Sequence, residues 1–428
     1  MSLRIAIACF ALLLCAIGGR SAKAAEKAEI LEQAHSESNW MLEIRKRLHA
    51  QPELAYEEYE TSELIRDTLK KLGIPFQHPY AGKTGIVATI GKGSPRIALR
   101  TDIDALPILE EVDVPWKSKA EGKMHACGHD AHMTMLLGAA KLLKAREQRL
   151  PGTVVLLFQP AEEGGAGGKK LVEEGALEGV AAVHGIHVWP PLPTGIIGTR
   201  VGTIMAAADR FSVTVHGRGG HAAMPHLARD PVVAASAIVG ALQHLVSRET
   251  SPTGSAVVTV AVFNTGAGAF NVIPDKVQLG GTVRALTREQ FDKLRERVRE
   301  VIEGTASAHG CRAELSWSAQ AYGPTVNAKD MVDVVLRAGQ SLIDAERVQA
   351  LEEPTMAAED FSFLADAVPG AFTFLGINNE SAGSVHGLHT PRFRMDDSQL
   401  PLGAALHTAV ALTFFEDHKA SQSDHAEL

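Results

Sequence analysis

The chain has 428 residues, of which 45% are hydrophobic and 21% charged, and its formal net charge is −8. This length and apolar content predict a large core spread over two or three domains. The negative charge and the lack of Lys/Arg blocks argue against a nucleic-acid partner.

The first 24 residues have the pattern of a secretory signal peptide. A short basic start precedes an apolar run at 5–17 and small residues at 22–24, which predicts cleavage after Ala24. The run is too short to span a bilayer comfortably, so no membrane association is expected after cleavage. The mature chain is therefore expected in the ER lumen, outside the cell or in a periplasm. The tail His425-Ala-Glu-Leu428 resembles an ER-retention signal, and an ordinary polar tail is the alternative.

The chain contains four cysteines, and two of them leave with the signal peptide. The remaining pair, Cys127 and Cys311, does not form a disulfide scaffold in a protein of this size. A Cys127–Cys311 bridge is the alternative to a ligand role for Cys127. Asn379-Glu-Ser381 is a glycosylation sequon of a kind that often arises by chance.

In the first half of the chain, amphipathic helices alternate with short apolar strands. This alternation is typical of a largely parallel, buried sheet. The predicted helices are 26–49, 57–72 and 131–146, and the predicted strands are 86–90, 96–100, 154–158 and 181–187.

The pattern changes near Gly198, where a βαββαβ order typical of a ferredoxin-like unit begins. Phe211, Val213 and Val215 alternate with polar residues, and Thr287 with Gln290 forms a capping box. The later elements are a helix at 231–247, strands at 256–263 and 276–286, a helix to about 308 and a strand at 311–318.

The α/β pattern resumes after about residue 324, so the ferredoxin-like unit is an insertion. The predicted elements there are helix 331–342, strand 371–375 and helix 399–415. The fold class is thus α/β, with a mostly parallel larger domain at 25–198 and 321–428. An inserted domain occupies 199–320.

Residue types that bind metals follow the ends of several predicted strands. In open α/β sheets, ligands gather beyond the carboxyl ends of the strands. A thiolate and an imidazole two residues apart can bind one metal cluster, and adjacent carboxylates can divide metal binding from proton transfer. The pattern therefore indicates metal-assisted hydrolysis, although a free Cys is often only a buried apolar residue. The candidates are Asp102, Asp104, Cys127, His129, Glu162, Glu163, His187 and His389.

Six motifs make the chain resemble the M20-type metallopeptidases of the amidohydrolase branch. This branch includes hippurate hydrolases, N-acyl-amino-acid amidohydrolases and plant auxin-conjugate hydrolases. The motifs are Arg100-Thr-Asp-Ile-Asp-Ala-Leu-Pro107, Met124-His-Ala-Cys-Gly-His-Asp-Ala-His132, Gln159-Pro-Ala-Glu-Glu163, Gly219-Gly-His-Ala-Ala-Met-Pro225, Phe270-Asn-Val-Ile-Pro-Asp275 and Leu388-His-Thr-Pro391.

The resemblance implies two divalent metal ions per subunit, with manganese favoured and zinc or cobalt as alternatives. It implies that Cys127 bridges the two ions and that the full ligand set is Cys127, His129, Glu163, His187 and His389. The choices of His187 over His184 and of His389 over His386 rest on the family's spacing.

The resemblance also implies that the larger domain is the catalytic domain and that the inserted domain at 199–320 is a lid or dimerisation domain. It implies the remaining residue roles as well. Glu162 is the general base, and His221 stabilises the oxyanion, across a homodimer. Asn271 and Arg284 hold the substrate, although Arg284 has an alternative interpretation as a surface charge on a strand. Asp104 is expected to orient a metal ligand by contacting it without binding the metal itself.

The expected reaction is cleavage of the amide bond of an N-acyl-amino acid. Indole-3-acetyl-amino acids are the leading candidate substrates. A hippurate or general N-acyl-amino-acid hydrolase, or a dipeptidase, is the alternative within the enzyme class. From a different class, the alternative is an inactive member that uses the fold for binding, which should have lost Glu162 or a metal ligand.

Overall fold

The structure is a computed structural model that describes residues 29–266 and 268–426, with side chains to Lys419. The predicted signal peptide and the end of the predicted retention tail lie outside the described residues. No helix within these ranges combines the length and apolar character needed to cross a membrane.

Strands and helices alternate along most of the described chain. The strands are β1 Phe76–Tyr80, β2 Gly85–Gly91, β3 Arg96–Asp102, β4 Thr153–Gln159, β5 Ala182–Pro193, β6 Ile197–Thr199, β7 Gly202–Met205, β8 Ala207–His216, β9 Gly220–His221, β10 Ala256–Asn264, β11 Val272–Ile273, β12 Lys276–Ala285, β13 Arg312–Trp317, β14 Thr325–Asn327, β15 Val348–Ala350 and β16 Gly370–Asn378.

The helices include one at residues 29–36, which precedes the labelled ones. The labelled α-helices are α1 Ser38–Ala50, α2 Tyr59–Lys71, α3 His129–Lys144, α4 Glu162–Gly165, α5 Gly167–Glu173, α6 Pro231–His244, α7 Arg288–Ala308, α8 Lys329–Gln340, α9 Phe361–Ala367 and α10 Leu400–Ala426. A π-helix at Leu245–Glu249 follows α6, and 3₁₀ turns lie at Glu147–Arg149, Pro225–Leu227, Ala345–Arg347 and Asp397–Gln399.

The described residues form two compact units. The first runs to Gly202 and includes Asn327–Glu352 and the chain from Leu364 onward. The second comprises Thr203–Val326 and Glu353–Phe363. Glu353–Phe363 therefore groups with the second unit, although it lies within the segment predicted to complete the catalytic domain.

The first unit contains an eight-stranded sheet among its described residues, in the order β1-β2-β4-β3-β5-β16-β6-β15. β4, β3, β5 and β16 run parallel, whereas β1, β2 and β6 pair antiparallel with a neighbour. Every residue of β4 is buried, as expected for a strand covered on both faces. α3 packs against α1 and α10 and is buried almost all round, so its apolar residues form part of the core. The predicted α/β fold class is confirmed.

The second unit contains the predicted βαββαβ order, as β8-α6-β10-β12-α7-β13, and its strands form an antiparallel sheet in the order β10-β12-β8-β13. Phe211, Val213 and Val215 face inward, as their alternation predicts. The Thr287 side chain accepts a hydrogen bond from the Gln290 amide at the start of α7, as the capping box predicts.

Some short strands carry no sequence signal and were not predicted. β1 contains Pro79, a residue that argues against a strand when only the sequence is considered, and it has no fully buried position. β9 and β11 are two residues long and form a two-stranded sheet with each other. No periodicity can be recognised over two residues.

Candidate metal centre

The turn before α3 brings a thiol and an imidazole to one point. Gly128 has a φ of 90°, and a Cβ atom there would lie 2.4 Å from Val188 Cγ2, so only glycine fits. On either side of it, Cys127 and His129 are buried, and their donor atoms lie within 4.8 Å of each other and of His187. Cys127 Sγ is 3.3 Å from His187 Nε2. These three residues form the first donor group.

Both imidazoles of the first donor group are held with Nε2 toward the other donors. His129 Nδ1 donates to the carbonyl oxygen of Asp104 at 2.8 Å, and His187 Nδ1 donates to the carbonyl of Val188 at 2.7 Å. Because a carbonyl oxygen only accepts, the proton of each neutral ring sits on Nδ1, and Nε2 keeps its lone pair. This is the tautomer that a metal ligand needs.

A second donor group contains Cys127, Glu163 and His389, again within 4.8 Å of one another. His389 Nε2 lies 3.2 Å from Cys127 Sγ and 2.9 Å from Glu163 Oε1. His389 has a φ of 59° and donates its backbone N–H to Ala126. A non-glycine residue in this conformation persists only where its surroundings fix it, which is typical of functional sites. Cys127 belongs to both donor groups.

The charge balance of the centre favours cations. His129 Nε2 is buried without a hydrogen-bond partner among the described residues, and leaving such an atom unpaired is unfavourable. Burial alone would lower the pKa of His129, but the carboxylates of Asp102, Asp104 and Glu163 outweigh it and raise that pKa to about 10. A site that draws a proton this strongly has a negative potential. Its sulfur, nitrogen and oxygen donors fit a pair of divalent metal ions.

Asp104 holds the turn that carries the two adjacent glutamates. Its side chain is buried, and its two oxygens accept the backbone N–H groups of Glu162 and Glu163 at 3.0 and 2.9 Å. Glu162, Glu163 and His129 also form a donor group within 4.8 Å. Asp104 therefore contacts His129 through its carbonyl and both glutamates through its carboxylate. Its orienting role stays a prediction with this geometry behind it.

His132, the last residue of the second motif, is a supporting residue of the centre. Its Nδ1 donates to Asp102 at 2.8 Å, and its Nε2 accepts the backbone N–H of Val188 at 2.9 Å. Burial lowers the pKa of His132, which keeps the ring neutral in this role. Through these two hydrogen bonds the ring of His132 links β3 to β5, and it lies beside the ring of His187.

His184 and His386, the alternatives to His187 and His389, have surroundings that differ from those of the predicted ligands. His184 lies three residues before His187 on β5, and odd spacing on a strand reverses the direction of a side chain. It contacts Thr373 and His407 instead of the donor groups. His386 is exposed and belongs to no donor group among the described residues. The ligand roles of His187 and His389 stay predictions with this geometry behind them.

The other predicted site residues lie in the second unit. His221 is exposed in β9 and pairs with Val272 of β11, and Ala222 donates its N–H to the carbonyl of Asn271. The β9/β11 ribbon thus brings His221 and Asn271 together. Arg284 lies on β12, half-buried, and donates from Nη1 to the carbonyl of Met356 at 2.7 Å. Burial lowers its pKa. Arg284 is therefore held in place, unlike a loose surface charge.

Comparisons with known proteins agree with this centre. The model of peptidase family M20/M25/M40 matches residues 98–413. The IAA-amino acid hydrolase ILR1-like 5 of Arabidopsis thaliana is 48% identical over 388 residues, which cover 90% of this chain and 88% of that protein. The N-acetyl-L-cysteine deacetylase of Bacillus subtilis strain 168 is 42% identical, with 84% of each chain covered. Among solved structures, the Bacillus subtilis YXEP protein, described as a dinuclear metal binding peptidase from the M20 family, has a TM-score of 0.75 and 34% identity. That match covers 89% of this chain and 99% of the other.

Proposed function

The chain belongs to peptidase family M20/M25/M40 and is a hydrolase of amide bonds, and on this basis we propose that it releases amino acids from N-acyl-amino acids. Indole-3-acetyl-amino acids are the leading substrates, supported by the similarity to the IAA-amino acid hydrolase of Arabidopsis thaliana. The observation that carries the proposal is the shared Cys127 thiol between two donor groups, beside the adjacent Glu162 and Glu163.

The residues of the first unit suit this hydrolysis. Two divalent ions, when bound, lower the pKa of a water molecule and polarise the amide carbonyl. Manganese is the proposed metal, with Cys127, His129, Glu163, His187 and His389 as ligands. Glu162 is buried next to a ligand, with its backbone held by Asp104. Glu162 takes a proton from the attacking water and then donates it to the leaving amine.

We assign oxyanion stabilisation to His221. Its Nδ1 accepts the backbone N–H of Ala223 at 3.1 Å, so the proton of the neutral ring sits on Nε2. Nε2–H is then a donor for the negative charge that develops on the substrate oxygen. We further propose that the protein is a homodimer in which His221 acts on the partner's substrate, while Asn271 and Arg284 bind the substrate's polar groups and carboxylate.

The direct test is turnover of a substrate panel by manganese-reconstituted enzyme. The panel contains indole-3-acetyl-, benzoyl- and acetyl-amino acids and unblocked dipeptides, and mass spectrometry measures the released amino acid. We expect the highest kcat/KM on an indole-3-acetyl-amino acid. Preference for an acetyl-amino acid would favour the second candidate, a general N-acyl-amino-acid hydrolase, which the similarity to the Bacillus subtilis deacetylase supports. Absence of turnover on every compound would refute both.

The role of His221 has a separate test, complementation. His221→Ala and Glu162→Gln dimers are each expected to be nearly inactive. After subunit exchange between equal amounts, half the dimers are mixed, and one of their two sites has both residues intact. Activity should then recover to about a quarter of the wild-type value. Failure to recover after confirmed exchange would show that His221 does not act across a dimer.

A further inference from the structure

The turn that carries Glu162 and Glu163 is held by two buried carboxylates. Three consecutive backbone N–H groups are bound in this way. Asp104 accepts those of Glu162 and Glu163, and Glu58 Oε1 accepts that of Ala161 at 2.9 Å. Both carboxylates are fully shielded from solvent.

Ala161 needs this support because its backbone is strained. Its φ of 55° lies in the left-handed region, which residues with a Cβ rarely adopt. The strained residue immediately precedes Glu162. The direction in which Glu162 and Glu163 leave the turn therefore depends on what keeps Ala161 in this conformation.

Glu58 directs its carboxylate to this turn and not to its own helix. It occupies the N-cap position of α2, but its side chain makes no capping hydrogen bond. Glu53 binds the first amides of that helix instead, accepting from Glu60 and Thr61 at 3.1 and 2.8 Å. Glu58 also accepts from the Tyr56 amide at 2.9 Å and the Thr84 hydroxyl at 2.6 Å.

We propose that Glu58 is a positioning residue for the reaction, because it fixes Ala161 and thereby the directions of Glu162 and Glu163. The proposal rests on the function proposed above for these two glutamates. It assigns a role in the site to a residue 103 positions before the turn.

Three variants separate positioning from simple stabilisation. Glu58→Ala removes the acceptor of the Ala161 amide. Glu58→Gln keeps the Oε1 acceptor, and its amide group can donate to the Thr84 hydroxyl. Burial raises the pKa of Glu58 to about 7, so the fold accommodates a neutral group here. Glu53→Ala is the matched control, because it removes two carboxylate–amide hydrogen bonds nearby without touching the turn.

Each variant is assayed for kcat, KM, the pH profile of kcat/KM and thermal unfolding. In a second readout, Co²⁺ replaces the native metal, and its visible absorption bands report the ligand field around Glu163. We expect Glu58→Ala to lower kcat by about 100-fold, the order of loss caused by a displacement of about 1 Å at a reacting centre. Its KM should change little, and its pH profile and cobalt bands should shift.

Glu58→Gln should restore most of kcat and the wild-type cobalt spectrum. Glu53→Ala should unfold at a lower temperature with kcat and spectrum unchanged. A Glu58→Ala enzyme with wild-type kcat and spectrum would overturn the proposal, and so would equal losses of kcat in Glu53→Ala and Glu58→Ala.

If Glu58→Ala does not fold, Glu58→Asp takes its place, because the shorter side chain cannot reach both the Tyr56 and Ala161 amides. If the wild-type enzyme hydrolyses no N-acyl-amino acid, the proposed function fails. The cobalt spectra still decide the role of Glu58 in that case.

Discussion

A buried cluster of charges beside α3 allows a sharp test of the electrostatics of the first unit. His49 donates from Nδ1 to Asp130 at 2.8 Å and from Nε2 to Glu110 at 3.2 Å. Arg45 binds the same oxygen of Asp130 at 3.1 Å. An imidazole that donates from both nitrogens is a cation. Burial opposes that charge, but the hydrogen bonds to Asp130 and Glu110 outweigh it and raise the pKa of His49 above its usual value.

His49→Phe removes this cation while preserving much of the side-chain volume. Removing one partner of a buried ion pair costs about 3–5 kcal/mol. Here Asp130 keeps Arg45, and Glu110 keeps the Ser118 amide at 2.7 Å. We therefore expect the lower end, a loss of about 3 kcal/mol in the free energy of unfolding near pH 6.

The loss should depend on pH in one direction. A raised histidine pKa stabilises the folded state fully below the unfolded pKa of about 6.5 and stops doing so as pH rises through the folded value. The difference between wild type and His49→Phe should therefore shrink with increasing pH above about 6.5.

Urea unfolding of metal-loaded protein, followed by tryptophan fluorescence, measures this difference, because Trp40, Trp116 and Trp189 all lie in the first unit. His35→Phe, at an exposed position of the helix at 29–36, is the control. A His49→Phe penalty that stays constant across this pH range would refute the cationic imidazole.

Three further predictions concern the metal centre. Glu162→Gln should lower kcat by about 10²–10⁴-fold while both metals remain by elemental analysis, and near-normal kcat would contradict the role of base. Cys127→Ala removes the donor common to both groups, so both metals and activity should be lost together. Chelation of the wild type should reproduce that loss until divalent metal is added back, and a Cys127–Cys311 disulfide in active enzyme would contradict the assignment. Asp104→Asn replaces one carboxylate oxygen with an amide NH2 group, which cannot accept the backbone N–H that this oxygen binds. Metal affinity or kcat should therefore fall about 10–100-fold. Wild-type values of both would contradict the orienting role.

Local sequence patterns were sufficient to predict most of the fold and the candidate donors. Short apolar runs predicted the strands, and their ends lie close to Asp102 and Glu162. Local pattern alone does not distinguish His184 from His187, and only the spacing of the family motifs favours His187. The alternation of side chains along a strand explains why these two residues face different neighbours.

Hydrogen bonds and ion pairs between segments far apart in the chain could not be predicted from the sequence. Glu58 falls inside a stretch with a helical pattern, so its charge resembles that of any helix residue facing solvent. Its hydrogen bond to Ala161 exists only because the fold brings together segments 103 residues apart. Arg45 and Asp130, 85 residues apart, form a buried pair for the same reason. Neither contact has a local signature in composition or periodicity.

The buried carboxylates around the centre give it a negative charge that bound cations would offset. Asp102 and Asp104 surround His129, whose Nε2 has no hydrogen-bond partner among the described residues. Arg100 forms a buried ion pair with Asp102 at 2.9 Å, and negative charge left without such a partner is unfavourable in an apolar interior. Two divalent cations would reverse that balance, because each carboxylate that raises the pKa of His129 also favours a cation at its Nε2. The charge that makes the metal-free centre costly is therefore the same charge that couples metal binding to the stability of the first unit.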